Sequence, residues 1–328
     1  MNTFSSLTRR HHEAGLTLVE IMIAMLLSVI LLGGVIQISS GTKATYRTNE
    51  AVAQLQENGR FATEILARDI RMADFWGCAG NISKVTNNLN SVAAGYIPFE
   101  NGGLGGTEGG AGPDTLVLRG GYDSGIQVDA PYGPLPSASI KVPAGNGLDQ
   151  FDIVMISDCT SADVFQISNA DPNTAGNLAH NAGVGSPGNK GPAGCLNCLS
   201  RVYAGDATVY RVQGITYSIA PGSSGQPALF RNGQELVDGI EDLQVLYGED
   251  IDPPATAGSG SANYYVPADQ VSNMDNVVSI RFALVARSYG NNVANGQTYN
   301  VLGTSITSND NRLRQVYTAT IGIRNRLP

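Results

Sequence analysis

The chain has 328 residues, of which 42% are apolar and only 15% charged, with 40 glycines and a formal net charge of −8. That charged fraction lies well below the roughly 25% of an ordinary soluble domain, and it excludes a charge-rich disordered chain, a coiled coil and, with no Gly-X-Y period, a collagen. The excess of acids over bases, 28 against 20, argues against a nucleic-acid binder, and the near-zero mean hydropathy of −0.05 averages over two unlike parts.

The first part is a short basic leader followed by an apolar run. Arg9 and Arg10 precede Leu16–Val19 and then Ile21–Ile38, which is interrupted only by Ser28, Gly33, Gly34 and Gln37. At 1.5 Å per residue, about 23 residues cross a hydrocarbon core of ~30 Å, so the run predicts one membrane-spanning helix. No second run of this kind occurs, which excludes a multi-pass protein. The basic leader predicts a cytoplasmic N-terminus with the remaining chain on the far side. This apolar core is longer than that of a secretory signal, and only Ser39-Ser40-Gly41 offers a weak cleavage site after it. Glu20 stands inside the run, where a carboxylate costs roughly 2–3 kcal/mol and is by default a functional residue. The plainer alternative is an acid at the membrane edge that reaches the headgroups.

Lys43 to Ala73 continues as an amphipathic helix. Val52, Leu55, Ala62, Ile65, Leu66, Ile70 and Ala73 recur at three- and four-residue steps, so one helix from Leu16 to about Asp74 is expected, its apolar face against the following domain. From Phe75 onward, short apolar runs between Gly, Pro, Asn and Asp predict strands at Thr115–Arg119, Phe151–Ser157, Val164–Ser168, Thr208–Ile219, Val277–Ser288 and Gln315–Arg324. Leu236–Tyr247 fits helical and alternating periods alike. Gly102–Gly112 and Gly183–Gly194 read as mobile surface loops. The fold class is α+β: a long N-terminal membrane-anchoring helix and a β-rich globular head with long Gly-rich loops.

Little in the head points to chemistry. Cys78, Cys159, Cys195 and Cys198 all follow the anchor, hence lie in an oxidising compartment, and their even number favours disulfides. Four cysteines allow three pairings; the reading leans to Cys78–Cys159 with a local Cys195–Cys198 bridge. A redox reading of Cys195-Leu196-Asn197-Cys198 lacks the helix such a motif opens. A zinc reading lacks a second Cys-x-x-Cys and has only His180 outside the leader. Among seven acids from Glu235 to Asp252, Asp250 and Asp252 are weak calcium candidates without the EF-hand glycine and closing Glu; a solvated acidic face is the expectation. Gly183–Gly188 matches a dinucleotide fingerprint formally but contains Pro and follows no strand. No Gly-x-Ser-x-Gly elbow occurs, and one available His makes a triad a poor fit. Arg312, Arg314, Arg324 and Arg326 are expected to pair with the acidic run or a partner.

Two resemblances add to this reading. Ala14-Gly15-Leu16-Thr17-Leu18-Val19-Glu20 ahead of an apolar helix resembles the class III signal of type IV prepilins. The resemblance implies cleavage between Gly15 and Leu16 by a membrane prepilin peptidase and methylation of the new N-terminus at Leu16. It also implies an assembly charge pair between Glu20 and the amine of a neighbouring subunit. Leu16 stands where the family more often has Phe. The resulting segments are 1–15 as leader, 16–38 as transmembrane and filament-core helix, 39–75 as its amphipathic continuation and 76–328 as head.

Phe75-Trp76-Gly77-Cys78, Ser157-Asp158-Cys159 with Ala162–Gln166, and Glu235–Glu241 with Leu243–Gly248 resemble PilW-type minor pilins, as do Arg281–Ser288 and Thr320–Arg326. This resemblance covers nearly the whole chain. It implies a pilin-like head and a non-enzymatic, cofactor-free subunit of a tip or priming complex that starts pilus assembly. Implied partners are the other minor pilins, the major pilin, the prepilin peptidase, the inner-membrane assembly platform and a tip adhesin. The implied location is the bacterial inner membrane with a periplasmic head, then the pilus tip. PilW proteins are similar to J-type pseudopilins of type II secretion, which is the alternative reading. A membrane-anchored periplasmic binding module that never polymerises is another.

Overall fold

The computed structural model describes residues 17–252, 259–291 and 293–327; Gly15 and Leu16 lie outside the described residues. The chain divides into two compact units between Ala51 and Val52, and the helix α1 (Leu18–Met72) supplies residues to both.

In the first unit the helix runs without a break through Gly33 and Gly34. Its large apolar side chains from Leu18 to Ile38 are 44–74% exposed. Apolar residues at nearly every position leave no polar face, so this stretch is not the amphipathic stripe of a domain helix. Where the apolar run ends, Thr42, Thr45 and Thr48 return their hydroxyls to the carbonyls of Ile38, Gly41 and Ala44, at 2.9, 3.0 and 3.0 Å. These bonds satisfy each hydroxyl within the helix itself.

The second unit begins with the amphipathic half of α1. The strands that follow are β1 (Val85–Asn87), β2 (Leu104–Thr107), β3 (Thr115–Gln127), β4 (Ile140–Lys141), β5 (Ile153–Ser157) and β6 (Ala162–Gln166). After the single turn α2 (Pro172–Ala175) come β7 (Asn177–Leu178), β8 (Thr208–Pro221), β9 (Pro227–Arg231) and β10 (Gln234–Asp238). The last group is β11 (Ile240–Glu249), β12 (Tyr264–Val266), β13 (Val277–Arg287), β14 (Thr298–Val301), β15 (Thr304–Thr307) and β16 (Arg314–Gly322). One sheet has the order β1-β6-β5-β8-β3-β2, with β9 also paired to β8 and β10 to β9, and a second has the order β12-β11-β13-β16.

The helix is held to both sheets by one core. Leu55, Ala62, Leu66, Ile70 and Ala73 are at most 4% exposed and cluster with Leu118, Ile215 and Tyr217 of the first sheet and Leu243, Phe282 and Leu284 of the second. Burying each Leu or Ile is worth about 1.5–3 kcal/mol, so this face fixes the helix to the head. The expected apolar face is borne out except that Val52 and Ile65 are only half-buried while Ala67 joins it. Gly59 lets the helix meet the sheet: a Cβ there would lie 2.0 Å from the Tyr317 ring, whose hydroxyl donates to the Leu55 carbonyl at 2.9 Å.

The end of α1 is closed by the C-terminal tail. Asn325 Nδ2 donates to the Ala73 carbonyl at 2.9 Å, a group that no turn of helix satisfies. Asp74 follows in the left-handed region at φ 60° and accepts from Trp76 Nε1 at 2.7 Å, Gly103 N at 2.9 Å and Arg326 Nε at 2.5 Å. Arg326 and Asp74 have side chains only 7% and 11% exposed, so each depends on the other for a partner. This corrects part of the sequence expectation: Arg326 pairs with the helix end rather than with the acidic run.

Three further expectations change. Leu236–Tyr247 is strand throughout except at Gly239, where φ of 76° lets the chain leave β9 and begin pairing with β13. Gly102–Gly112 is not a mobile loop along its length, because Leu104–Thr107 pairs with β3 and Leu104 is 1% exposed. A Cβ on Gly106 would lie 2.2 Å from the Tyr247 hydroxyl, so this glycine marks close packing. Gly183–Gly194 is likewise pinned: Asn189 is 5% exposed and exchanges two hydrogen bonds with the Gln166 main chain, both 2.7 Å, as a paired strand would.

Candidate functional site

The membrane-type helix opens with a reciprocal cap. Thr17 precedes the first helical residue, and its hydroxyl accepts from Glu20 N at 3.3 Å. Glu20 Oε2 in return accepts from Thr17 N and Thr17 Oγ1, both at 3.1 Å. Two donors that the helix start would leave unsatisfied are thus paired, and the carboxylate sits at the positive end of the helix dipole. The Thr-x-x-Glu spacing of Thr17-Leu18-Val19-Glu20 carries this signature, and sequence reading took from it only the isolated acid. Both residues are exposed, so the cap leaves Glu20 open to a further partner. The helix behind it is, by length and composition, able to cross a membrane.

The cysteines form two bridges, Cys78–Cys159 and Cys195–Cys198. The first ties the turn after α1 to the bend between β5 and β6, beside the Ser157 hydroxyl that donates to the Trp76 carbonyl at 3.0 Å. The second closes an exposed turn, with Leu196 65% exposed. Near it His180 is buried at 4% exposure, stacked edge-on against Phe165, with Nε2 at 3.1 Å from the Ala138 carbonyl. Burial pushes its pKa down, which is the behaviour of a core histidine.

Asp250 and Asp252 serve the connection from β11 to β12. Asp250 accepts from Asp252 N at 3.1 Å and from Gly260 N at 2.8 Å, and Asp252 accepts from Asn263 Nδ2 at 3.2 Å. Among the described residues, no three His, Cys, Asp or Glu side chains come together as a metal would need. The wider acidic run is not a solvated face. Glu249 is fully buried, held by Ser272 Oγ at 2.5 Å and by Ser272 N and Asn273 N at 3.1 and 3.0 Å, which keep its pKa low against the opposing effect of burial.

Glu241 meets Arg314 and Arg287, so Arg314 does pair with the acidic run. Arg314 also bonds Asp310 at 2.5 Å. That hydrogen bond holds the Asp310 carboxyl down to about 2, against ~3.9 for an unfolded Asp. A folded value below the unfolded one stabilises the fold above about pH 4 and is lost as pH falls through 4 toward 2. Asp310→Asn should therefore flatten the decline of the urea midpoint between pH 5 and pH 2.5. An unchanged decline in the variant would remove Asp310 from the acid response.

Comparison with known families meets these two regions. Residues 210–325, from β8 through β16, match the family model of Type IV Pilus-assembly protein W. Residues 10–36, which contain Thr17, Glu20 and most of the exposed apolar helix, match the Prokaryotic N-terminal methylation motif. No curated protein and no solved structure matches the chain. The chain therefore carries a prokaryotic N-terminal methylation motif on its apolar helix and, in residues 210–325, a region similar to Type IV Pilus-assembly protein W.

Proposed function

We infer that the chain is a minor pilin of a type IV pilus, a structural subunit rather than an enzyme. It is stored in the inner membrane through residues 16–38 with its head in the periplasm. Prepilin peptidase then cuts after Gly15, Leu16 becomes the methylated N-terminus, and the subunit enters a tip or priming complex with other minor pilins. The observation that carries this reading is one polypeptide with an exposed, apolar, acid-capped helix joined to a PilW region. Glu20 is the charge available to a neighbour's amine, and pairing in a low-dielectric surrounding is strongly preferred to isolation.

Processing supplies the test. Co-expressed with a prepilin peptidase, the chain should yield a mature mass that starts at Leu16 with one added methyl group, and Gly15→Glu should stay at precursor length. A mature chain that starts after Ser39-Ser40-Gly41 would overturn the pilin reading. Deletion of the gene should remove pili; loss of protein secretion with pili intact would instead favour the J-type pseudopilin reading.

A further inference from the structure

β16 is an edge strand with an open side. Ser288 N donates to the Leu313 carbonyl at 2.8 Å and Ile323 N to the Val278 carbonyl at 2.9 Å, just beyond the two ends of the β13–β16 ladder. The register between them is unbroken, with Gln315, Tyr317, Ala319 and Ile321 opposite Ala286, Leu284, Phe282 and Ile280. Antiparallel alternation therefore gives the odd-numbered residues of β16 to β13 and turns the N–H and C=O of Val316, Thr318 and Thr320 away from it. Among the described residues nothing bonds to those outward groups. The first outward position is already filled: Gln297 accepts from Arg314 N at 2.8 Å and donates to the Arg314 carbonyl at 3.0 Å. Its amide occupies the place that the main chain of an added strand would take.

Exposed edges of natural sheets are normally blunted by charge, proline or a bulge. Gln315–Gly322 has no charged residue, no proline and no register shift, so none of these devices blunts this edge. An open groove of about 760 Å³ runs beside it, between Tyr317, Ala319 and Ile321 of the strand and Arg60, Glu64 and Arg71 of α1. Arg60 and Arg71 are exposed and make no ion pair with any described residue, so the helix wall of the groove carries a net positive charge.

We propose that β16 receives an extended segment of a different protein chain by strand addition, and that this segment turns acidic side chains toward Arg60 and Arg71. Main-chain bonds to Val316, Thr318 and Thr320 give the segment its register, and the groove selects its side chains. Pairing with a second copy of this chain is disfavoured by charge, since it brings two positively charged helix walls to one junction. The proposal goes beyond the reading of the chain as a minor pilin and does not depend on where in a filament the chain sits.

The test uses the full-length protein in its own cells, with a photo-cross-linking residue placed at Thr318 and, as control, at Val92, which is 86% exposed in a turn outside β16. Cross-linked peptides are then sequenced by mass spectrometry. The Thr318 position should yield a segment of another chain that contains Asp or Glu, above the Val92 background. With the cross-linker moved to Thr320, Thr318→Pro should cut the yield about tenfold, the weight of one hydrogen bond, while Thr318→Ala retains it. The outward N–H of Thr318 is outside the β13 ladder, so proline is compatible with the fold there. Arg60→Glu with Arg71→Glu on the helix surface is the second variant and should lower the yield in a fold that is unperturbed by circular dichroism. Adducts no stronger than at Val92, adducts to residues 314–322 of a second copy, or yields that neither variant changes would each overturn the proposal.

Discussion

Replacing Cys78 and Cys159 together by serine should lower the unfolding free energy of the head by about 4.5 kcal/mol, the chain-entropy value for a bridge that closes a loop of this size. The bridge joins residues 81 apart in sequence, so the unfolded chain without it regains a large set of conformations. It also stands where the structure concentrates contacts between distant segments. Ala79 N donates to Ser157 Oγ at 3.2 Å, Trp76 is 1% exposed and sits edge-on to Phe99, and the turn between them leads straight out of α1. The matched control is Cys195→Ser with Cys198→Ser. That bridge spans a separation of 3, and the same relation gives it only about 2 kcal/mol. Urea unfolding of the full-length chain in detergent, followed by tryptophan fluorescence, reads both: Trp76 is the single tryptophan and lies beside the long-range bridge. A larger midpoint shift from the Cys195/Cys198 variant than from the Cys78/Cys159 variant would contradict this ranking.

What sequence could convey of this fold depended on how local the physics is. The helix face from Leu55 to Ala73 was legible because its partners all lie on one side and the 3.6-residue period records that directly. The strands Ile153–Ser157 and Val277–Arg287 were legible because they are largely apolar and buried on both faces, although the first was expected to begin at Phe151, which is 47% exposed at φ 73° and precedes it. Leu236–Tyr247 was ambiguous because it serves two sheets in succession, and the switch at Gly239 leaves no periodic trace. The acidic run was misread as solvated because the groups that hold it are remote: Arg314 lies 73 residues after Glu241, and Ser272 lies 23 after Glu249. Leu104 was lost in a Gly-rich stretch whose glycines answer to Asp74 and Tyr247 across the core, contacts that composition alone reads as looseness. At the candidate site the balance was better. Glu20 stood out as a lone acid in an apolar run, but its capping partner Thr17 was passed over, although a capping box is a four-residue device that spacing alone records.

Glu20→Gln should leave the chain inserted in the membrane and abolish its incorporation into filaments, and the capping geometry makes this variant more telling than alanine. Glutamine can replace glutamate in a Thr-x-x-Glu/Gln box, so the bonds between Thr17 and residue 20 persist while the charge is gone. Glu20→Ala removes both. Loss of the cap costs about 1 kcal/mol, which is small beside the insertion energy of the run behind it, where each Leu, Ile, Val or Phe contributes roughly 0.3–0.6 kcal/mol at the helix centre. Fifteen large apolar side chains between Leu18 and Ile38 stand exposed, and removing a carboxylate from an apolar run favours insertion further. Neither variant should therefore leave the membrane fraction. On the function proposed above, assembly separates them from the parent chain: a neighbour's α-amino group buried in a filament core would need a charge opposite it, and a missing partner for a buried charge is worth about 3–5 kcal/mol. The measurement is the amount of each variant in sheared pilus fractions against the amount in membranes. Gln and Ala variants equally absent from filaments assign the effect to charge. A Gln variant that assembles normally while Ala fails would assign it to the cap and remove the charge pair from the mechanism.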